Sequence, residues 1–233
     1  MKHEALREEV CRINREIVRA GLVVLTWGNA SGVDRDEGVM AIKPSGVGYD
    51  DLQPGDMVVL SLTSGDVIDG MLRPSSDAPT HLFLYQEFAG IGGIVHTHSS
   101  FATSWAQAKT AIPCRGTTHA DHFHGPIPVA RECTEEEIAD GYERNTGVAI
   151  VDTFSRDGLD PGQIPGVLVP GHGPIAWGPT PRHALDNAIA LEEVARMALM
   201  TRLIDPDGRD LPKHLLDKHF LRKHGTDAYY GQA

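Results

Sequence analysis

The chain has 233 residues, 41% of them hydrophobic and 23% charged, a size that suits one α/β domain or two small ones. A formal net charge of −11 with no basic run argues against a nucleic-acid partner, and no apolar run approaches the roughly 18 residues of a membrane span. The surplus acid also means that an anionic substrate would need a positive site built locally against the global field.

The opening residues carry charges throughout and no apolar signal core. The three cysteines, Cys11, Cys114 and Cys133, lack metal or disulfide spacing. Both features lead us to expect a cytoplasmic protein with reduced thiols.

In chain order, residues 3–20 place Leu6, Val10, Ile13, Ile17 and Val18 at helical spacing, with Gly21 where a helix-ending glycine belongs. Strands are predicted at 22–26, 39–42, 57–62, 93–98, 148–153 and 166–169. Helices are predicted at 78–89, after the capping box Thr134-Glu135-Glu136-Glu137, from Thr180-Pro181 to about Leu203, and at 211–224. No repeat or linker divides the chain, so residues 1–233 read as a single α/β domain.

The stretch "GGIVHTHSS" (92–100) carries the strongest chemical signal. Residues i and i+2 of a strand share a face, so His96 and His98 present two imidazoles side by side where the strand ends. Two ligands on one rigid element, completed from elsewhere, is how catalytic metal sites are commonly built. His172, flanked by glycines in "VLVPGHGPIAWG", and Asp77 in "RPSSDAPTH" are the candidates to complete it; Asp77 could equally cap the helix that follows. A second cluster, "GTTHADHFHG" (116–125), holds His119, Asp121, His122 and His124. It reads either as a rival metal site, as in a metallohydrolase, or as acid/base groups serving the first site.

No phosphate-binding P-loop is present. Three small loops stand out instead: "TWGNASG" (26–32) with Asn29, "KPSG" (43–46) with Lys43, Ser45 and Gly46, and "PSSD" (74–77) with Ser75 and Ser76 at a predicted helix start. Free amides, a helix N-terminus and a lysine together suit a small phosphorylated ligand. Taken singly, each loop reads as ordinary turn chemistry.

These motifs, with "LLDKHFLRKHGTDAYYGQ" near the C-terminus, resemble the class II aldolase/adducin group over almost the whole chain. The "TTHAD" and "HGTDAYYGQ" segments are most similar to its L-ribulose-5-phosphate 4-epimerase branch. The resemblance implies an α/β fold with a largely antiparallel or mixed central sheet flanked by helices. Its metal ligands would be Asp77, His96, His98 and His172, normally for zinc, with manganese or cobalt as substitutes. Asn29, Lys43, Ser45, Gly46, Ser75 and Ser76 would hold the phosphate and nearby sugar oxygens. Asp121 and Tyr230 would be the acid/base pair and His219 an accessory residue, with Tyr230 and Arg222 reaching in from a neighbouring subunit of a homotetramer. Two alternatives are a class II aldolase acting on L-fuculose 1-phosphate or a similar sugar phosphate, and a non-catalytic interaction module like the adducin head.

Overall fold

A computed structural model describes residues 1–230. Helix α1 (Glu4–Arg19) buries Val10, Cys11, Ile13 and Ile17 at helical spacing. Gly21, at φ 73, turns the chain out of it. Strand β1 (Gly28–Asp34) follows and β2 (Val39–Ile42) pairs back against it. Strands β3 (Val58–Ser61) and β4 (Val67–Asp69) extend the sheet to one edge. Helix α2 (Ala78–Glu87), strand β5 (Gly93–Thr97) and the short helices α3 (Ser100–Gln107), α4 (Thr117–Ala120) and α5 (Glu135–Ala139) come next. Helix α6 (Tyr142–Arg156), strands β6 (Gly166–Val169) and β7 (Gly173–Gly178), the long α7 (Pro181–Ile204) and α8 (Lys213–His224) complete the chain.

The seven strands form one sheet in the order β4-β3-β2-β1-β5-β7-β6, and every neighbouring pair is antiparallel. Of the two expected arrangements the antiparallel one is therefore found. Alternation along β1 sorts the layers. Ala30 and Gly32 face α1 and α7: Asn14 of α1 donates to the Ala30 carbonyl and accepts from its amide at 2.9 and 2.8 Å. Asn29 and Ser31 point to the opposite face, where α2 lies. The core between sheet and helices is anchored by Trp177, whose ring meets Phe88 and Phe154, both at 5.4 Å between centroids. Such aromatic pairs add about 0.5–1.5 kcal/mol each beyond their burial.

Two predicted strands are corrected. Residues 148–153, rich in β-branched side chains, lie inside α6, because Thr146, Ala149, Ile150, Thr153 and Phe154 are buried at helical spacing. A short apolar run does not by periodicity alone choose between helix and strand. Residues 22–26 form a turn instead of a strand: Leu25 adopts φ 54, and Val24 and Leu25 are exposed. The first strand starts later, at the asparagine loop. Strands β4 and β7 are additions to the predicted set. The capping box at Thr134 is formed as predicted, with Thr134 and Glu137 bonding each other's backbone. The cysteines are free. Among the described residues no helix is long and apolar enough to cross a membrane.

Candidate metal and phosphate site

The site lies at the end of the sheet where β5 finishes. Asn29 of β1 pairs directly with His96 of β5, so both point to the α2 face. His98 follows one residue past the strand, and His172 sits in the turn joining β6 to β7. Two glycines permit this convergence. A Cβ on Gly28 would stand 2.9 Å from the His96 carbonyl oxygen, and one on Gly173 would stand 2.6 Å from that of Thr97.

The three imidazoles close into a compact set. Ring centroids are 5.0 Å apart for His96 and His98, 4.7 Å for His96 and His172, and 4.8 Å for His98 and His172. One nitrogen from each lies within 4.8 Å of the others. His96 Nδ1 donates to the Pro174 carbonyl at 2.9 Å, which fixes the tautomer and leaves Nε2 as a bare lone pair. Burial lowers the pKa of all three rings, His172 to about 4, and each ring's neighbouring histidine adds to the effect. Three neutral imidazoles facing one point fit a divalent metal ion, which binds the deprotonated ring.

Asp77 lines the same cleft, immediately before α2, and makes no side-chain cap to the helix. Its Oδ2 accepts from Asn29 Nδ2 at 2.6 Å. Burial alone would raise its carboxyl, but His96, His81 and the Asn29 bond outweigh that and hold it below the usual range. The carboxylate stands beside the three-histidine set and outside its closest packing.

The loops 43–46 and 73–76 are stitched together at the cleft wall. Ser75 N–H donates to the Lys43 carbonyl at 2.9 Å and Ser45 N–H to the Arg73 carbonyl at 3.0 Å. Those two amides are thus consumed, so of the free N–H groups expected at the helix start the one on Ser75 is taken, and the Ser75 hydroxyl accepts from Asn29 Nδ2 at 3.1 Å. Lys43 brings a positive charge to this wall of the cleft. It is 2% exposed, its Nζ donates to the carbonyls of Pro44 and Val47, and among the described residues it has no carboxylate partner. Burial lowers its pKa. Asn29, Lys43, Ser45, Gly46, Ser75, Ser76, Asp77 and the three histidines all line one cleft of about 390 Å³.

Trp27, Tyr142 and Glu143 join that lining without having been expected. Tyr142 Oη lies 3.3 Å from His172 Nδ1. Only the bend at Gly141, φ 109, which starts α6 beside the site, brings this pair in.

The remaining predicted residues gather elsewhere. Arg222 Nη2 donates to both oxygens of Asp121 at 3.0 and 2.8 Å, and His219 Nδ1 lies 3.1 Å from Oδ1. Arg222 also stacks over the Tyr230 ring, 4.2 Å from its centroid. Burial would raise Asp121, but Arg222 and His219 hold it lower than an ordinary carboxyl. None of these four residues lines the histidine cleft of its own chain; Tyr230 borders a separate cleft of about 810 Å³ with Lys223 and His224. The sequence reading assigned only Tyr230 and Arg222 to a neighbour, whereas the structure ties Asp121 and His219 to the same group. Of the second histidine cluster, His119 is buried against the Gly125 carbonyl and His124 pairs with Asp217, and among the described residues the only metal-ligating group is His96, His98 and His172.

A family model described as Class II Aldolase and Adducin N-terminal domain matches residues 8–199. L-ribulose-5-phosphate 4-epimerase UlaF of Salmonella paratyphi A (strain ATCC 9150 / SARB42) is 49% identical over 229 residues, covering 98% of this chain and 99% of that protein. The protein of the same name from Salmonella typhi is equally similar, at 49% identity over 229 residues. A solved structure described as L-fuculose 1-phosphate aldolase matches with a TM-score of 0.79 and 25% identity, over 94% of this chain and 96% of that one. The L-fuculose 1-phosphate aldolase from Glaciozyma antarctica PI12 matches at a TM-score of 0.75 and 14% identity, over 97% of this chain and 84% of that one, and shares the fold.

Proposed function

The chain belongs to the class II aldolase and adducin family, and on that premise we propose that it is a metal-dependent isomerase interconverting L-ribulose 5-phosphate and D-xylulose 5-phosphate. The observation that carries this reading is one cleft joining three neutral imidazoles to a buried lysine that has no carboxylate partner among the described residues. Likeness to the 4-epimerases at 49% identity favours it over an aldolase, for which the likeness is 25%.

The chemistry explains the need for both halves of the cleft. The substrate is a 2-ketose, so deprotonation beside its carbonyl touches C1 or C3 and leaves C4, the centre to be inverted, untouched. Cleavage of the C3–C4 bond, rotation of the aldehyde fragment and re-addition to its other face solve that problem. His96, His98 and His172, with Asp77 as a fourth donor, would hold a divalent metal, zinc by preference. When bound, it supplies Lewis-acid stabilisation to negative charge on the ketose oxygens. Lys43, with Asn29, Ser45, Gly46, Ser75 and Ser76, holds the phosphate, so the aldehyde fragment turns without escaping. Asp121, kept ionised by Arg222, takes the C4 hydroxyl proton on one face, and Tyr230 serves the other face.

That pair reaches the cleft from a neighbouring subunit, with His219 and Arg222 holding Asp121. A homotetramer with shared sites is supported by the separation of the two groups within one chain. It is also supported by the exposed Met200, Leu203 and Ile204 at the end of α7. We place the enzyme in the cytoplasm.

The test is to give metal-loaded protein L-ribulose 5-phosphate and, separately, L-fuculose 1-phosphate. D-xylulose 5-phosphate from the first and no lactaldehyde from the second is the expected result; the reverse pattern would make it an aldolase.

A further inference from the structure

Behind the metal cleft lies a buried chain of three polar side chains. Tyr85 and His81 of α2 and Ser31 of β1 are all fully buried. Tyr85 Oη lies 2.8 Å from Ser31 Oγ, which lies 2.7 Å from His81 Nδ1. His81 Nε2 has no partner among the described residues, although it is sealed from solvent.

Proton positions follow from counting donors. The Tyr85 hydroxyl meets Ser31 Oγ and the Ile94 backbone N–H; the amide can only donate, so Ser31 Oγ is the acceptor left for the phenol proton. Ser31 then donates to His81 Nδ1, and His81 carries its single proton on Nε2. The opposite direction would strand both the phenol proton and the Nε2 lone pair, two unsatisfied groups in place of one. Burial keeps the ring neutral by pushing its pKa down to about 4, against the pull of the Asp77 charge. One N–H is therefore left pointing into a closed space.

The nearest anion along the helix is Asp77. Four helical residues, a rise of about 6 Å, separate Asp77 from His81. Two strand residues, about 6.8 Å, separate Asn29 from Ser31 beneath them. The two spacings nearly match, so Asp77 rests on Asn29 as His81 rests on Ser31. Asn29 secures only Oδ2 of the carboxylate.

We propose that His81 is a positioning residue for Asp77: its Nε2–H, fixed by the Tyr85–Ser31 relay, secures the carboxylate from the α2 side when Asp77 turns to the metal. The inference rests on the metal centre proposed above and adds to it the group that orients its carboxylate donor. Such outer partners of metal ligands commonly set affinity by about 10- to 100-fold.

The experiment measures Co2+ and Zn2+ affinity by chelator competition, the visible absorption of the Co2+ form, and thermal stability of the metal-free protein. The proteins are the wild type, His81→Leu, His81→Gln and Ser31→Ala. His81→Leu is expected to weaken both metals about 10- to 100-fold and shift the Co2+ band, with metal-free stability little changed. His81→Gln, whose amide N–H reaches the same place, should recover to within about fivefold of wild type. Ser31→Ala frees the tautomer without adding bulk and should weaken binding to an intermediate degree. It decides the matter if His81→Leu fails to fold.

Unchanged metal affinity in folded His81→Leu, or in Ser31→Ala where the former does not fold, overturns the inference and leaves the metal centre standing. So does lowered metal-free stability at unchanged affinity. If the wild type binds neither ion, the metal centre itself falls, and this inference with it.

Discussion

Arg222 grips Asp121 with Nη2 on both carboxylate oxygens while its guanidinium covers the ring of Tyr230. Because none of them lines the histidine cleft of their own chain, activity should depend on contact between chains. Tyr230→Phe removes only the hydroxyl and is expected to lower kcat with metal content unchanged. Mixing inactive Tyr230→Phe with inactive His98→Asn and allowing subunit exchange should restore part of the activity, since some interfaces pair an intact metal cleft with an intact tyrosine. No recovery, with exchange confirmed by mass, would place Tyr230 outside a shared site.

His98→Asn takes one imidazole from the set of three and should lower metal content and epimerisation together. Its folded stability without metal should stay close to wild type, because His98 sits past the end of β5 and is only half-buried. Metal analysis beside an activity assay and a melting curve checks all three statements. Full activity in metal-free protein would remove the metal from the mechanism.

Ser76→Asp sets a carboxylate in the cleft wall that Lys43 makes positive. Two like charges about 4 Å apart at an effective dielectric near 20 repel by about 4 kcal/mol before salt screening, and exposure of Ser76 reduces that several-fold. KM for the sugar phosphate should rise tenfold or more, on the order of 1.4 kcal/mol. The rise should shrink in high salt, and turnover of the non-phosphorylated sugar should change far less. An equal loss for both substrates would take the phosphate away from this turn.

Acid should unfold the metal-free protein earlier than its carboxylates alone predict. Burial, the largest cause in each case, depresses the pKa of His81, His119 and His172 to about 4. An unfolded histidine titrates near about 6.5, so between that value and about 4 the unfolded chain binds more protons and stability falls as pH falls. For His119, buried against the Gly125 carbonyl, the loss across that window is at most about 3 kcal/mol. Urea midpoints at several pH values from 7 to 4.5, in the presence of chelator, should show the decline, and His119→Gln should make it shallower by one histidine's share. A flat profile above pH 5 would contradict the assignment.

Much of this was open to a reader of the sequence. Alternation puts His96 and His98 on one face of any strand they share, and helical spacing in 3–20 and 180–203 forces the helices found there. Glycine and serine loops betray the cleft walls because few other residues permit such turns. These are local consequences of backbone geometry, legible without knowing what lies opposite.

What lies opposite was decided only by tertiary structure. The choice of helix for 148–153 came from the neighbours that bury Thr146, Ile150 and Phe154, since its composition favours a strand. Tyr142 and Glu143 enter the cleft because α6 begins beside it, after Gly141, and no spacing announces that. Asp121 reads like a partner for the histidines until Arg222 and His219 claim its oxygens. His81 lies within an ordinary helix until the fold sets Ser31 Oγ 2.7 Å from its Nδ1. The periodicity of a chain determines which face each residue takes, while the pairing of faces depends on contacts between residues distant in sequence, and chemistry belongs to those pairs.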